Sequence, residues 1–315
     1  MRLPFFINVF LWVFSATADD LLPKGVPFIL PPAIEITWIA RTNDLPQKVW
    51  VYKVIPQRFS QDTISNLLHT GDFSTKDKSH IEGQSPFKDK SILYFADKDK
   101  TRYLGIFPPI GWIDYSDEKA RSEMKELVEG VPTEEEALQM AFDFLPRLGI
   151  SRSDLVTETN KIHRVLRERG RFDKTSGTLV KEVISRGVFF TRKIDGVEFT
   201  GIGLHGGMWI DFGNHGRIAA LQASWRKLQP VESHEIAQPD RIVTLIKQGK
   251  ARISPQEPVN LTEGTRLAVT KMTPYYLGKL GEEPQETVFP FCALEIQAIS
   301  GETNFLFRLN CPIFR

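Results

Sequence analysis

Apolar residues recur at every second position through Lys48-Val49-Trp50-Val51-Tyr52-Lys53-Val54, the period of a strand with one buried face. After Pro56 the spacing lengthens. Ile64, Leu67 and Leu68 share a helical face behind Ser60, an N-cap residue type, and Gly71 stops the run. Residues 92–95 and 103–107 read as a hairpin around a charged turn. Thr133 and Glu136 then form a capping box, with three glutamates in the first turn favouring the positive helix N-terminus. Ala137, Ala141, Phe144, Leu145 and Leu148 make one apolar stripe before Gly149. Further hairpins are predicted over 188–194 and 197–200, closed by Asp195-Gly196, and over 208–212 and 217–225. A helix over 239–248 has Pro at its start and Gly249 at its end. The chain closes with strands over 288–299 and 304–310, joined by Ser300-Gly301-Glu302-Thr303. Helix, meander, helix and more strands predict an α+β fold of antiparallel sheets with short packed helices.

The first residues belong to a different pattern. Arg2 precedes an apolar run over 3–14, too short to span a bilayer, and Ser15-Ala16-Thr17-Ala18 stands before Asp19-Asp20. Small residues at Ala16 and Ala18 match the A-x-A site of a signal peptide over 1–18, cleaved before Asp19. The mature chain, 19–315, is expected to be secreted, with no membrane span after cleavage. Its length divides into an N-terminal α+β module over 19–130 and a second α+β region over 131–315. A hydrophobic fraction of 41% is ample for a folded core. Forty basic and thirty-nine acidic residues leave a net charge of +1, which supplies no electrostatic footprint for nucleic acid.

Secretion changes the meaning of the two cysteines, Cys292 and Cys311. A hairpin folded between Gly301 and Glu302 sets them opposite each other, so a disulfide is expected in an oxidising compartment. Asn260-Leu261-Thr262 is an N-glycosylation sequon, marking an exposed segment and a glycoprotein if the host is a eukaryote.

The capped helix, the strand through Lys193-Ile194-Asp195-Gly196-Val197-Glu198-Phe199-Thr200-Gly201, and the hairpin ending Ser224-Trp225-Arg226-Lys227-Leu228 together resemble the PepSY-like modules of secreted proteins. With the helix from Pro239 and the late Tyr275-Tyr276 strand, the order also resembles the extracytoplasmic YycH/YycI-type regulatory proteins. The resemblance covers roughly 131–315, with weaker echoes over 45–107. It implies tandem PepSY-like (cystatin-like) modules and a regulatory role through contacts. YycH/YycI-type proteins are membrane-tethered and modulate a sensor kinase, and PepSY modules have been proposed to restrain peptidases. The expected cleavage removes the tether, a departure that puts any kinase partner in doubt. The resemblance carries no catalytic residues.

Motifs for chemistry are sparse. Gly201-Ile202-Gly203-Leu204-His205-Gly206 matches G-x-G-x-x-G, but a strand rather than a helix follows, so a bend or bulge explains the glycines and no nucleotide cofactor is expected. His205-Gly206-Gly207 looks like an esterase oxyanion loop, yet no G-x-S-x-G elbow exists. The six histidines include no i, i+4 pair and no H-E-x-x-H. His205 and His215 with Asp211 are the one conceivable metal cluster, and solvent-exposed turn histidines explain them better. Trp209, Trp225, Tyr275, Tyr276 and His205 are candidates to line an apolar pocket, against the alternative of an ordinary aromatic core. The expectation is a secreted, non-catalytic binding or regulatory protein that contacts a protein or a small hydrophobic ligand. The alternative is a secretory-pathway enzyme without metal or nucleotide, such as a cofactor-free cyclase or isomerase on a hydrophobic metabolite.

Overall fold

The computed structural model describes residues 25–79, 92–173, 175–200, 206–253, 259, 261–278 and 285–313. The expected signal peptide over 1–18, His205 and Asn260 lie outside the described residues. The fold is mixed α+β, with mostly antiparallel sheets and, among the described residues, four short α-helices. The chain divides into two compact units, both discontinuous: 1–42, 237–272 and 292–313 make the first, and 43–236, 273–291 and 314–315 the second. Position 130/131, expected to separate two modules, falls inside the second unit, because strands from either side of it pair with each other.

The second unit is built on an eight-stranded antiparallel sheet. In chain order its strands are β1 (Lys78–Ser79), β2 (Leu93–Ala96), β3 (Arg102–Phe107), β4 (Trp112–Asp117), β5 (His163–Asp173), β6 (Thr178–Thr191), β7 (Gly207–Phe212) and β8 (Ile218–Ser224). The spatial order β1-β2-β3-β4-β8-β7-β6-β5 joins two meanders through the β4–β8 pair. Between the meanders the chain forms α2 (Glu118–Glu126) and α3 (Glu134–Phe144); α1 (Gln61–Thr70) precedes the sheet.

Capping positions these helices as the sequence predicts. The Ser60 hydroxyl accepts the Thr63 N–H at 3.0 Å. Thr133 and Glu136 close a reciprocal box, each accepting the other's backbone N–H. Such a cap is worth about 1 kcal/mol. The apolar stripe of α3 buries Ala137, Ala141 and Phe144 in one cluster with Leu67, Leu68, Leu104, Ile106, Ile113, Phe190, Met208, Ile210 and Leu221. Fully burying each large aliphatic or aromatic side chain contributes about 1.5–3 kcal/mol. One face of the sheet is therefore core and the other looks away from it.

A second sheet in this unit orders Lys227–Glu235, Lys48–Ile55 and Thr287–Val288 antiparallel. The strands Lys193–Ile194 and Val197–Thr200 form a hairpin, and Val197–Thr200 runs parallel to Tyr275–Leu277. Asp195 (φ 50°) and Gly196 (φ 79°) both take positive φ, the signature of a two-residue type I′ turn.

In the first unit, Val26–Pro27, Arg252–Ile253 and Thr303–Pro312 are successive neighbours, and Ile36–Trp38 pairs in parallel with 267–269. α4 (Pro239–Lys247) buries Ile242, Leu245 and Ile246. Pro290–Ser300 and Thr303–Pro312 are adjacent strands with Gly301 at positive φ in the turn, as predicted.

The disulfide expected across that hairpin is not formed. Cys292 and Cys311 are fully buried free thiols, and the Cys292 thiol donates to the Cys311 carbonyl at 3.5 Å. Directly opposed residues of a regular ladder hold their Cβ atoms about 4.5–5.5 Å apart. A disulfide needs about 3.8 Å, so bridging would require the ladder to deform. Burial, with the neighbouring Cys311 thiol, pushes the Cys292 thiol well above its ordinary value, which keeps it protonated and unreactive.

Candidate functional site

The structure separates the aromatic residues proposed to share a pocket. Trp225 and Tyr276 are both core residues of the second unit, 8% and 0% exposed, and each meets the Phe199 neighbourhood. Between Trp225 and Phe199 lies the guanidinium of Arg192, 4.6 Å and 5.5 Å from the two ring centres. Its Nη1 donates to the Arg226 carbonyl at 2.7 Å, while no hydrogen bond reaches its Nε. Burial lowers this group to about 10. The two rings and one carbonyl hold a buried cation with no carboxylate in contact among the described residues.

A tyrosine pair completes this centre. Tyr52 and Tyr276 meet edge to face at 5.4 Å. The Tyr52 hydroxyl donates to Asp195 at 3.2 Å, and Tyr276 accepts the Trp50 N–H at 3.2 Å. Burial, reinforced by Tyr276 and by Asp195, raises the Tyr52 hydroxyl above its usual value. Tyr275, on the opposite side of its strand, packs 5.9 Å from Phe291. These residues fill space rather than line it. A surface cavity of about 350 Å³ is lined by Ile55, Pro56, Arg58 and Lys227, none of them aromatic.

Trp209 stands elsewhere, on the outer face of the eight-stranded sheet. Strand register aligns seven residues there in one row: Tyr94, Gly105, Asp114, Gln222, Trp209, Phe189 and His163. None of its six side chains is fully buried. At the centre, Asp114 accepts from the Gln222 amide at 3.1 Å and from the Tyr103 hydroxyl at 3.2 Å. Burial and Asp114 push the Tyr103 hydroxyl up to about 12. Tyr94 and Tyr103 stack at 6.2 Å, nearly parallel at 21°.

Glycine sets how the rings lie. A Cβ on Gly187 would come within 2.7 Å of Trp209 Nε1, one on Gly207 within 3.0 Å of the Phe189 ring, and one on Gly105 within 2.5 Å of the Phe107 ring. Three rings thus fold down onto the backbone where side chains are missing. The Arg167 guanidinium sits 5.3 Å from the Trp209 ring centre.

One end of this outer face lies under α2, whose Ala120 and Met124 cluster with Ala219 and Ile184. Beneath it is Asp211, 0% exposed, with no hydrogen bond of good geometry to either carboxylate oxygen. Arg167 Nε approaches at 3.7 Å, yet burial raises the carboxyl above its ordinary value. His215 is exposed beside Glu129 at 3.6 Å. It does not join Asp211 in a metal site, and among the described residues no three His, Cys, Asp or Glu side chains gather. His205 lies outside the described residues, as does most of the Gly201–Gly206 run.

The protein is thus an α+β molecule with a buried arginine–aromatic centre and an exposed aromatic–amide row. The row escaped sequence reasoning because its residues come from seven strands, and only their register aligns them. No protein-family model and no curated protein matches the chain. Among solved structures it is similar to an uncharacterized protein from Eubacterium rectale ATCC 33656, at 13% identity and a TM-score of 0.43, covering 91% of this chain and 90% of that one. So distant a likeness carries no argument here. No described helix is long and apolar enough to cross a membrane.

Proposed function

We propose that this chain is a secreted, non-catalytic binding protein of tandem PepSY-like α+β build, which takes its ligand on the outer face of the eight-stranded sheet. The observation that carries this reading is the row from Tyr94 to His163, where aromatic rings flank the Asp114–Gln222 pair. Rings supply large contact area at low conformational cost, and a carboxylate with an amide fixes orientation. The packing of Trp225, Tyr275 and Tyr276 as core supports the same reading, since it leaves no substrate cavity at those residues.

A thermal-shift screen against glycans, peptides, lipids and nucleotides tests it, run in parallel on the parent and on the double variant Trp209→Ala, Gln222→Ala. At least one class should stabilise the parent and lose that effect on the variant. Ligands that stabilise both equally would place binding elsewhere. Secretion has its own check: the exported protein should begin at Asp19 on N-terminal sequencing, and a chain beginning at Met1 would refute it.

A further inference from the structure

We infer that the ligand of this face is an uncharged carbohydrate chain, an inference that rests on the binding reading above and narrows it to one chemistry. Sugar rings present two kinds of surface, and the row meets both. Their axial C–H faces need flat apolar partners. Trp209 and Phe189 provide these because Gly187 and Gly207 let the rings fold down onto the sheet, within 2.7 Å and 3.0 Å of where a Cβ would stand. The stacked Tyr94–Tyr103 pair provides a second platform at the other end. Their hydroxyls need donors and acceptors side by side. Gln222 gives one amide N–H to Asp114 and retains a second N–H and its carbonyl oxygen.

Spacing agrees with a repeating chain. The row advances one strand at a time, about 4.8 Å per step, so Trp209 on β7 and Tyr94 on β2 lie four strands apart. That span, about 19 Å, matches several sugar units laid across the strands with the polar pair between two ring platforms.

Other occupants fit poorly. A nucleic-acid strand would meet the Asp114 carboxylate at the centre of the row, and the Arg167 guanidinium beside Trp209 is already engaged with that ring. Phosphate binding needs several cations instead. An amphipathic helix needs a continuous aliphatic groove, whereas the row holds rings, a carboxylate and an amide. An added strand would need a sheet edge, and six of the seven strands that carry the row pair on both sides.

The test uses the full mature chain in affinity electrophoresis through gels containing hydroxyethyl cellulose, xylan, galactomannan or mixed-linkage β-glucan. Chitohexaose is added by isothermal titration. At least one should bind the parent, with Trp209→Ala and Gln222→Ala each weakening it about tenfold. Gly187→Ala, which lifts the indole off the backbone, should weaken it while leaving both polar residues in place. Unshifted melting of Trp209→Ala and Gln222→Ala guards against misfolding. Binding of no probe, or binding unchanged by these substitutions, overturns the carbohydrate assignment. If the thermal screen instead yields a non-carbohydrate ligand lost on the double variant, the face binds and only its assigned chemistry fails. If every ligand found survives the double variant, the binding face itself falls.

Discussion

Two glycines at left-handed φ separate the backbone cost of a side chain from its steric cost. Gly196 (φ +79°) has nothing within 4 Å of the position a Cβ would take. Gly111 (φ +60°) would place its Cβ 2.5 Å from the Trp225 carbonyl oxygen and 2.8 Å from the Arg226 Cα. That loop cannot yield easily, because the Trp225 N–H donates back to the Gly111 carbonyl at 2.7 Å. An L-residue at left-handed φ costs about 1–2 kcal/mol, and alanine recovers about 0.4–1 by restricting the unfolded chain. Gly196→Ala should therefore cost about 1 kcal/mol. Gly111→Ala adds an overpacking cost of about 1–3 kcal/mol against backbone atoms, giving about 2–4 in all. At about 2–4 °C per kcal/mol for a domain of this size, the melting temperatures should be clearly separated by differential scanning calorimetry. Gly196→Asn should be milder than Gly196→Ala, and Gly196→Val harsher, since β-branching aggravates positive φ. Equal melting of the Gly196 and Gly111 alanine variants would refute the assigned clash. A Gly196→Val variant that melts with the parent would refute the type I′ turn.

Asp211→Asn should raise stability at neutral pH by about 1–3 kcal/mol, the cost of an unsatisfied buried group. The raised folded-state carboxyl binds a proton that the unfolded chain releases, so stability falls as pH rises from the ordinary carboxylate value through the raised one. Melting followed from pH 4 to pH 8 should show this fall weakened in the variant, and an unchanged slope would remove Asp211 from the account. The buried cysteines should resist Ellman's reagent in the native protein and titrate as two thiols after unreduced denaturation; no thiol at that stage would restore the bridge. Arg192→Lys should destabilise by about 1–2 kcal/mol, because an ammonium cannot stack flat between Trp225 and Phe199. Melting equal to the parent would show that the stacking contributes nothing.

Local signals carried most of the elements. The caps at Ser60 and Thr133, the Asp195-Gly196 turn and the Gly301-Glu302 turn are decided by neighbouring residues, and each stands where the pattern predicts it. Long-range pairing was not legible. Nothing in residues 112–117 announces 218–224 as their partner, and the outer-face row depends on that pairing. Trp209 and Trp225 look alike in sequence, both standing in apolar runs, yet one faces outward and the other is core. The β5–β6 ribbon gave no amphipathic signal, because Arg167, Glu168, Arg169 and Glu182 distribute charge over both faces. The compartment argument favoured a disulfide that cross-strand geometry does not form.

That ribbon has a mechanical consequence. β7 pairs with β6 only over Arg186–Thr191, and Ile184 packs under α2, so among the described residues the stretch of β6 before Ile184 has β5 as its single neighbour. Beyond that point Phe172 and Leu179 face each other across the ladder at 62% and 67% exposure. A two-stranded ribbon with no packed layer is marginal by itself in water. It can unzip from the tip without exposing any of the core, so its amides should exchange by local opening far below the global stability. Among the described residues, the tip near Gly177 is accordingly a site where a protease would nick the chain readily. It is also where an inserted tag would leave the rest of the sheet undisturbed.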